Sequence, residues 1–328
     1  MSDLSDPRAL FAPLGEVRGL LVAVSGGPDS MALLHLAAGW QRAGGPKIFA
    51  ATVDHGLRAQ AREEAEQVAH WSAALGIPHQ ILSWTGDKPA TRLQERAREA
   101  RYRLLFDHAK ALGADVVATG HHGDDQAETI LFRLLRGSGI AGLSGMEPIA
   151  QRQGLRLARP LLGWGKADLV AYCAAQGQDV ISDPSNHDPR FARTGLRALL
   201  PQLAGEGLDR AALLRLGRRA GRAAQALDLA FEGWLTQLPA QRSPGLFACP
   251  GEALRQLPSE ALLRLLEAEI LRVGQMATPP RLEQLEALSE ALEGALREGR
   301  DHRANLAGAL VSCVQGQLVV TPEPARRV

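Results

Sequence analysis

With 328 residues, 45% of them hydrophobic, the chain has room for two ordinary domains that each bury a core. A formal net charge of +1 implies no nucleic-acid partner by itself, and all but four of the 37 basic residues are Arg. No apolar stretch approaches a membrane span, and residues 1–20 carry Asp3, Asp6 and Glu16 and lack the apolar core of a secretory signal. Cys173, Cys249 and Cys313 lie far apart and offer neither a disulfide framework nor a Cys-x-x-Cys metal site, so buried thiols in a reduced cytoplasm are expected.

Leu20–Val24, short and β-branched at Val22 and Val24, predicts a buried strand. It breaks at Ser25-Gly26-Gly27 and yields to a helical pattern from Pro28, a residue suited to a helix's first turn. Strand, glycine turn and helix N-terminus make an anion site, because unpaired N–H groups and the positive end of the helix dipole converge there. Asp29-Ser30 stands where the common ATP-binding loop needs Lys before Ser or Thr, so this is a different kind of loop.

Further strands are predicted at 47–54, 79–84, 115–119 and 155–162, with helices at 59–75, 91–112, 126–136 and 166–176 between and after them. The second strand runs into the polar cluster Val53-Asp54-His55-Gly56-Leu57-Arg58. Such alternation argues for an α/β fold with a parallel sheet covered on both faces, and ligands sit beyond the C-terminal edge of such sheets. Arg136–Met146 holds four glycines and is expected to be a flexible loop. Asp183-Pro184-Ser185-Asn186 is a turn cluster, followed by a helix to about Leu200. The alternation stops at Pro201–Gly207, which predicts a first domain over 1–204 and a second over 205–328. The second reads as mostly helical, at 208–238, 259–273 and 281–298, with a hairpin in 306–321 around Gln315-Gly316-Gln317.

His121–Thr129 packs two histidines and three carboxylates into nine residues at a strand-to-helix junction. Asp124 as a helix cap, with Asp125 and Glu128 favouring the positive end, accounts for the acids but leaves both histidines unexplained. A transition-metal site is a second reading. A third is a magnesium and amine-binding edge, with Asp125 and Glu128 three apart on one helix face and a phosphate loop nearby.

Ser25–Ser30, Val53–Arg58, Arg98-x-x-Arg101-Tyr102, His121–Thr129, Arg136–Gly142, Arg159-Pro160-Leu161 and Asp183–Asn186 occur in one order. In that order they resemble the tRNA(Ile)-lysidine synthases, a family of pyrophosphate-loop ATP pyrophosphatases, over residues 25–200. The resemblance implies an adenine-nucleotide α-hydrolase-like catalytic domain and a cytoplasmic ligase. Such a ligase adenylates C2 of the wobble cytidine of a CAU-anticodon isoleucine tRNA with ATP, then lets free lysine displace AMP. It implies that Ser25, Gly26, Gly27, Pro28, Asp29 and Ser30 bind the ATP phosphates, with Asp29 near Mg2+, and that Val53 and His55 lie near the adenosine. Arg98 or Arg101 would stabilise negative charge on phosphate or activated base, unless each makes a surface ion pair with Glu95 or Glu99. Asp125 and Glu128 would hold the lysine amine, with Asp124 beside them on the substrate side. After the Ser-Asn turn the family pattern Arg-Asn-x-x-Arg is kept as Arg193 and Arg197, but Thr194 replaces the Asn, and Thr cannot reproduce an amide's two-sided pairing.

Between Arg190 and Arg222 eight arginines face two acids, Glu206 and Asp209. Arg215, Arg218, Arg219 and Arg222 share one helix face, a stripe able to track RNA phosphates or to serve as a plain solvated face. The rival readings are another pyrophosphate-loop enzyme, a tRNA thiolase or small-molecule amide synthetase, and a non-catalytic nucleotide-binding protein. A thiolase is disfavoured by the missing cysteines, and a mere binder by three carboxylates beside phosphate. Oligomeric state is left open, a homodimer included.

Overall fold

The computed structural model describes residues 6–56, 60–86, 93–181, 192–276 and 279–324. Its contacts divide into two compact units, Met1–Arg133 with Ser144–Gly217, and Leu134–Leu143 with Arg218–Val328.

The first unit runs α1 (Pro7–Phe11), β1 (Gly19–Ala23), α2 (Pro28–Arg42), β2 (Lys47–Asp54), α3 (Ala61–Ala74), β3 (His79–Ser83) and α4 (Leu93–Ala111). β4 (Val116–Thr119) and α5 (Gly123–Leu135) follow, then the one-turn α6 (Ile140–Leu143), which falls in the second unit. β5 (Ile149–Arg152), β6 (Leu155–Ala158), α7 (Lys166–Ala175), α8 (Ala192–Gly205) and the start of α9 (Arg210–Gln237) complete it. The sheet order is β3-β2-β1-β4-β6-β5, parallel except for β5.

β1 is buried along its whole length, and alternate residues feed two cores. Leu20 and Val22 pack with Met31, Leu33 and Leu169, whereas Leu21 and Ala23 pack with Tyr102, Leu105 and Phe106 of α4. This two-sided burial is why the strand reads as a continuous apolar run.

β5 is absent from the sequence reading. It joins β6 through Gln153-Gly154, both at positive φ (51° and 80°), the conformation of a two-residue hairpin turn. Asn-Gly is the usual signal for that turn, and Gln in its place hid the hairpin. The Arg136–Met146 segment also differs from the flexible loop expected. It contains α6, and its end is clamped where the buried Gln126 side chain accepts from Met146 N at 2.7 Å and donates to Met146 O at 3.0 Å. Arg133 adds a bond to the Gly145 carbonyl at 2.7 Å.

The expected domain change at 204/205 and the division at Gly217/Arg218 differ by the first turns of α9. Leu196 of α8 and Leu213 of α9 pack with Ala127, Ile130 and Leu131 of α5, with Leu200, Leu203 and Leu208 around them, so this stretch belongs with the first unit.

In the second unit α9 continues into β7 (Gln241–Ser243), β8 (Leu246–Pro250), α10 (Gly251–Leu254), α11 (Ser259–Gly274), α12 (Leu282–Glu298), β9 (His302–Leu306), β10 (Ala309–Val314) and β11 (Gln317–Pro322). The expected hairpin is β10–β11, turning at Gln315-Gly316, and it is part of a five-stranded antiparallel sheet ordered β7-β8-β11-β10-β9. Val311 and Cys313 of β10 and Leu318 and Val320 of β11 pack with Leu266, Ile270, Leu288 and Leu292 of α11 and α12. Among the described residues no helix is long and apolar enough to cross a membrane.

Candidate active site

β1 and β4 are sheet neighbours, paired from Leu20↔Val116 to Ala23↔Thr119, although β2 and β3 come between them in the chain. The strand order changes direction there, and an open parallel sheet leaves a crevice beyond the strand ends at such a point. The segments leaving β1 and β4 touch at once. A Cβ on Gly120 would stand 3.0 Å from the carbonyl of Asp29 and the nitrogen of Ser30, so only glycine lets the exit of β4 lie against the first turn of α2.

On the β1 side Gly26 sits at φ 85°, and a Cβ there would come within 2.4 Å of Ile181. Ser30 Oγ, buried under the turn, accepts from Ser25 N at 3.1 Å and donates to Gly27 O at 3.0 Å. Gly27 caps α2 with no side-chain bond, and Pro28 follows it, so the helix start offers its N–H groups to an anion. Cys173 lies beneath, its thiol 3.3 Å from Pro28 O and pushed by burial up to about 11.

On the β4 side the buried His122 gathers three carboxylates. Its Nε2 is 3.6 Å from Asp29 Oδ2 and 3.5 Å from Asp125 Oδ2, and its Nδ1 is 3.5 Å from Asp124 Oδ2. Burial disfavours the imidazolium, but the Asp124 bond and the charges of Asp125 and Asp29 prevail and raise its pKa above the ordinary value. Asp124, hydrogen-bonded to His122, to Lys166 N at 2.7 Å and near Arg210 at 3.4 Å, is held below the usual carboxylate range. It thereby ties the starts of α5, α7 and α9 together. Burial pushes the Asp29 carboxyl up, with Asp125 and Asp124 adding to it against the pull of His122 and Lys166.

Asp125 Oδ2 also accepts from His122 N at 3.1 Å, and Glu128, one turn on, is 5% exposed. Asp29, Asp125 and Glu128 therefore come from the starts of two helices, α2 and α5, that chain order separates and the sheet reunites. His122 was missed as a centre, although two unexplained histidines in the sequence were its signal; Lys166 and Arg210 had no signal at all.

Val53 and His55 leave β2 beside β1, and the His55 ring meets Trp84 edge-on at 5.9 Å. The backbone N–H of Trp84 donates to Asp54 O at 2.8 Å, and this residue was not anticipated at the site. Arg98 and Arg101 make neither expected ion pair: Glu99 pairs with Arg96 instead, at 3.3 Å. Burial lowers the Arg101 pKa, and neighbouring Arg98 adds to the shift. Arg215, Arg218, Arg219 and Arg222 are all exposed on α9. Leu57, Arg58, Asp183–Asn186 and the side chains of Arg193, Thr194 and Arg197 lie outside the described residues. Among the described residues no three His, Cys, Asp or Glu side chains are grouped to hold a metal.

The PP-loop domain model matches residues 6–203. A tRNA(Ile)-lysidine synthase of a Bradyrhizobium species is 47% identical over 341 residues, covering 98% of this chain and 95% of that protein. One from Methylobacterium nodulans is 49% identical over 317 residues, covering 95% and 93%. Among solved structures, the U34-tRNA thiolase NcsA of Methanococcus maripaludis with its [4Fe-4S] cluster aligns with a TM-score of 0.55 at 16% identity, covering 66% of this chain and 78% of that one. That last likeness is one of fold.

Proposed function

The chain belongs to the tRNA(Ile)-lysidine synthase family of PP-loop proteins, and on that premise we propose how its residues join free lysine to C2 of the wobble cytidine of a CAU-anticodon isoleucine tRNA. The carrying observation is that Asp29 and Asp125, from opposite walls of the crevice, converge on one nitrogen of His122. Nucleotide cleavage and amine delivery then share a single site.

Ser25–Ser30 hold the ATP phosphates on the N–H groups at the start of α2, and Val53, His55 and Trp84 border the adenosine. The C2 oxygen of the cytidine attacks the α-phosphorus and pyrophosphate leaves. Arg101, with Arg98, faces the negative charge that develops. Asp125 and Glu128 bind the lysine ammonium and take its proton. With a pKa near 10.4 that deprotonation costs about 4–5 kcal/mol at neutral pH, which a carboxylate already bound to the ammonium offsets in part. The free amine attacks C2 and AMP departs.

Asp29 Oδ1 is buried without a hydrogen-bond partner, a hard oxygen donor that fits Mg2+ held jointly with phosphate oxygens. The ion, when bound, supplies charge neutralisation for the triphosphate. His122 keeps Asp29 and Asp125 close despite their like charge, and Asp124 orients His122. The arginine face of α9 suits contact with the tRNA backbone. A thiolase reading gains no support, since all three cysteines are buried and free.

The test is direct. Incubation with ATP, radiolabelled lysine and a CAU-anticodon transcript should attach label to RNA with stoichiometric AMP and pyrophosphate. RNA that stays unlabelled overturns the reading.

A further inference from the structure

We propose that Arg152 and Arg159, gathered with Arg98 on Tyr102, form a phosphodiester site that holds the RNA strand beside the reacting nucleotide. This deepens the reading above and rests on its RNA substrate. The three come from separate elements of the first unit: Arg98 from α4, Arg152 from β5 and Arg159 from directly after β6. They gather on Tyr102, which is 2% exposed. The Arg152 guanidinium carbon lies 4.0 Å from the ring centroid and that of Arg98 5.2 Å. Arg98 Nη2 donates to the Tyr102 hydroxyl at 3.5 Å, and Arg159 lies within hydrogen-bonding reach of it.

The aromatic face and one hydroxyl are the cluster's main local compensation. Among the described residues none of the three pairs with a carboxylate; Glu99 is taken by Arg96. Arg159 gives Nη1 to the Glu147 carbonyl at 2.6 Å, while its Nε is buried with no partner. Crowded like charges with a leftover buried donor are what an anion resolves, and planar guanidinium forks match phosphate oxygens in pairs.

Placement selects which phosphate. β6 pairs with β4 up to Ala118↔Ala158, so Arg159 leaves the same sheet edge as Gly120 and His122. It stands two strand spacings from the glycine loop, roughly 10 Å. A nucleotide triphosphate seated on that loop has its donors there. A polynucleotide whose base enters the crevice still carries phosphates on either side of it, and Arg152 and Arg159 offer these their donors.

R152Q and the double variant R152Q/R159Q, read by filter retention of a CAU-anticodon stem-loop without ATP or lysine, test this. Affinity should fall about tenfold for the double variant, and the slope of log K against log salt should flatten by roughly 0.7 per lost contact. ATP binding measured without RNA should stay within twofold. R159K, which keeps the charge but not the fork, should fall between wild type and R159Q. Unchanged RNA affinity and salt slope overturn the proposal, as does a loss confined to ATP binding, which assigns the cluster to the nucleotide. If R152Q/R159Q unfolds, R152Q alone must show the flattened slope or the proposal fails. Because the assay needs no turnover, a wild type that binds RNA yet makes no lysidine would remove the ligation reading and leave this site to be judged on its own.

Discussion

Glu269 in the second unit is buried and Asp29 in the first is half-buried, and their surroundings differ completely. Glu269 has both oxygens taken, Oε1 by Arg242 Nε and Oε2 by Arg272 Nε, each at 2.7 Å. Arg272 goes on to the carbonyls of Ser243 and Leu246, so the carboxylate fastens α11 to the β7–β8 hairpin. Asp29 keeps one buried oxygen without a partner and shares the other's neighbour, His122, with two more acids. Topology explains the contrast. Parallel strands all end at one edge, so residues leaving β1, β2, β4 and β6 converge on a single crevice. Antiparallel strands end alternately at opposite edges, and the second sheet buries its polar groups only where it can satisfy them.

The sharpest way to break this comparison is Asp125→Ala. Lysine transfer to RNA should fall about a thousandfold, while ATP affinity changes less than about threefold. Equal losses in both, measured by initial rates and nucleotide titration, would place Asp125 on the nucleotide side. Next comes Glu269→Ala, which strands two arginines. Urea unfolding should show a loss of about 2 kcal/mol, below the usual figure for a buried pair because the arginines are partly exposed. Transfer activity per folded molecule should be unchanged, and a drop in it would end the division between fastening and functional carboxylates.

The last effect, confined to acid pH, concerns His79. The Thr52 hydroxyl donates to Val24 O at 2.8 Å and so accepts from His79 Nε2, also at 2.8 Å, which leaves Nδ1 buried without a partner. Burial lowers the His79 pKa to about 4. Since the unfolded chain binds this proton near 6.5, the stability is complete above that pH and is lost as pH falls from 6.5 towards 4. It amounts to on the order of 2 kcal/mol. His79→Gln should flatten the stability profile across that window; an unaltered slope would show that another group is responsible.

The candidate site segments were readable because their chemistry is local. A glycine turn between an apolar run and Pro28 states its purpose in six residues, and His121–Thr129 concentrates charge where a helix begins. The hairpins at Gln153-Gly154 and Ala307-Gly308 were not readable, since Gln and Ala replace the residues that usually announce such turns, though both adopt positive φ. Most of the second sheet was lost the same way, behind strong helical periodicity on either side.

Residue types and their spacing alone determined the phosphate loop, the acid-rich helix start and the alternation that makes a parallel sheet. Only the folded chain decided that β1 and β4 adjoin, that His122 sits among three carboxylates, and that three arginines from three elements meet on Tyr102. Periodicity records which face of an element is buried. It carries no record of which distant element lies opposite, because that choice is made by packing among all of them at once.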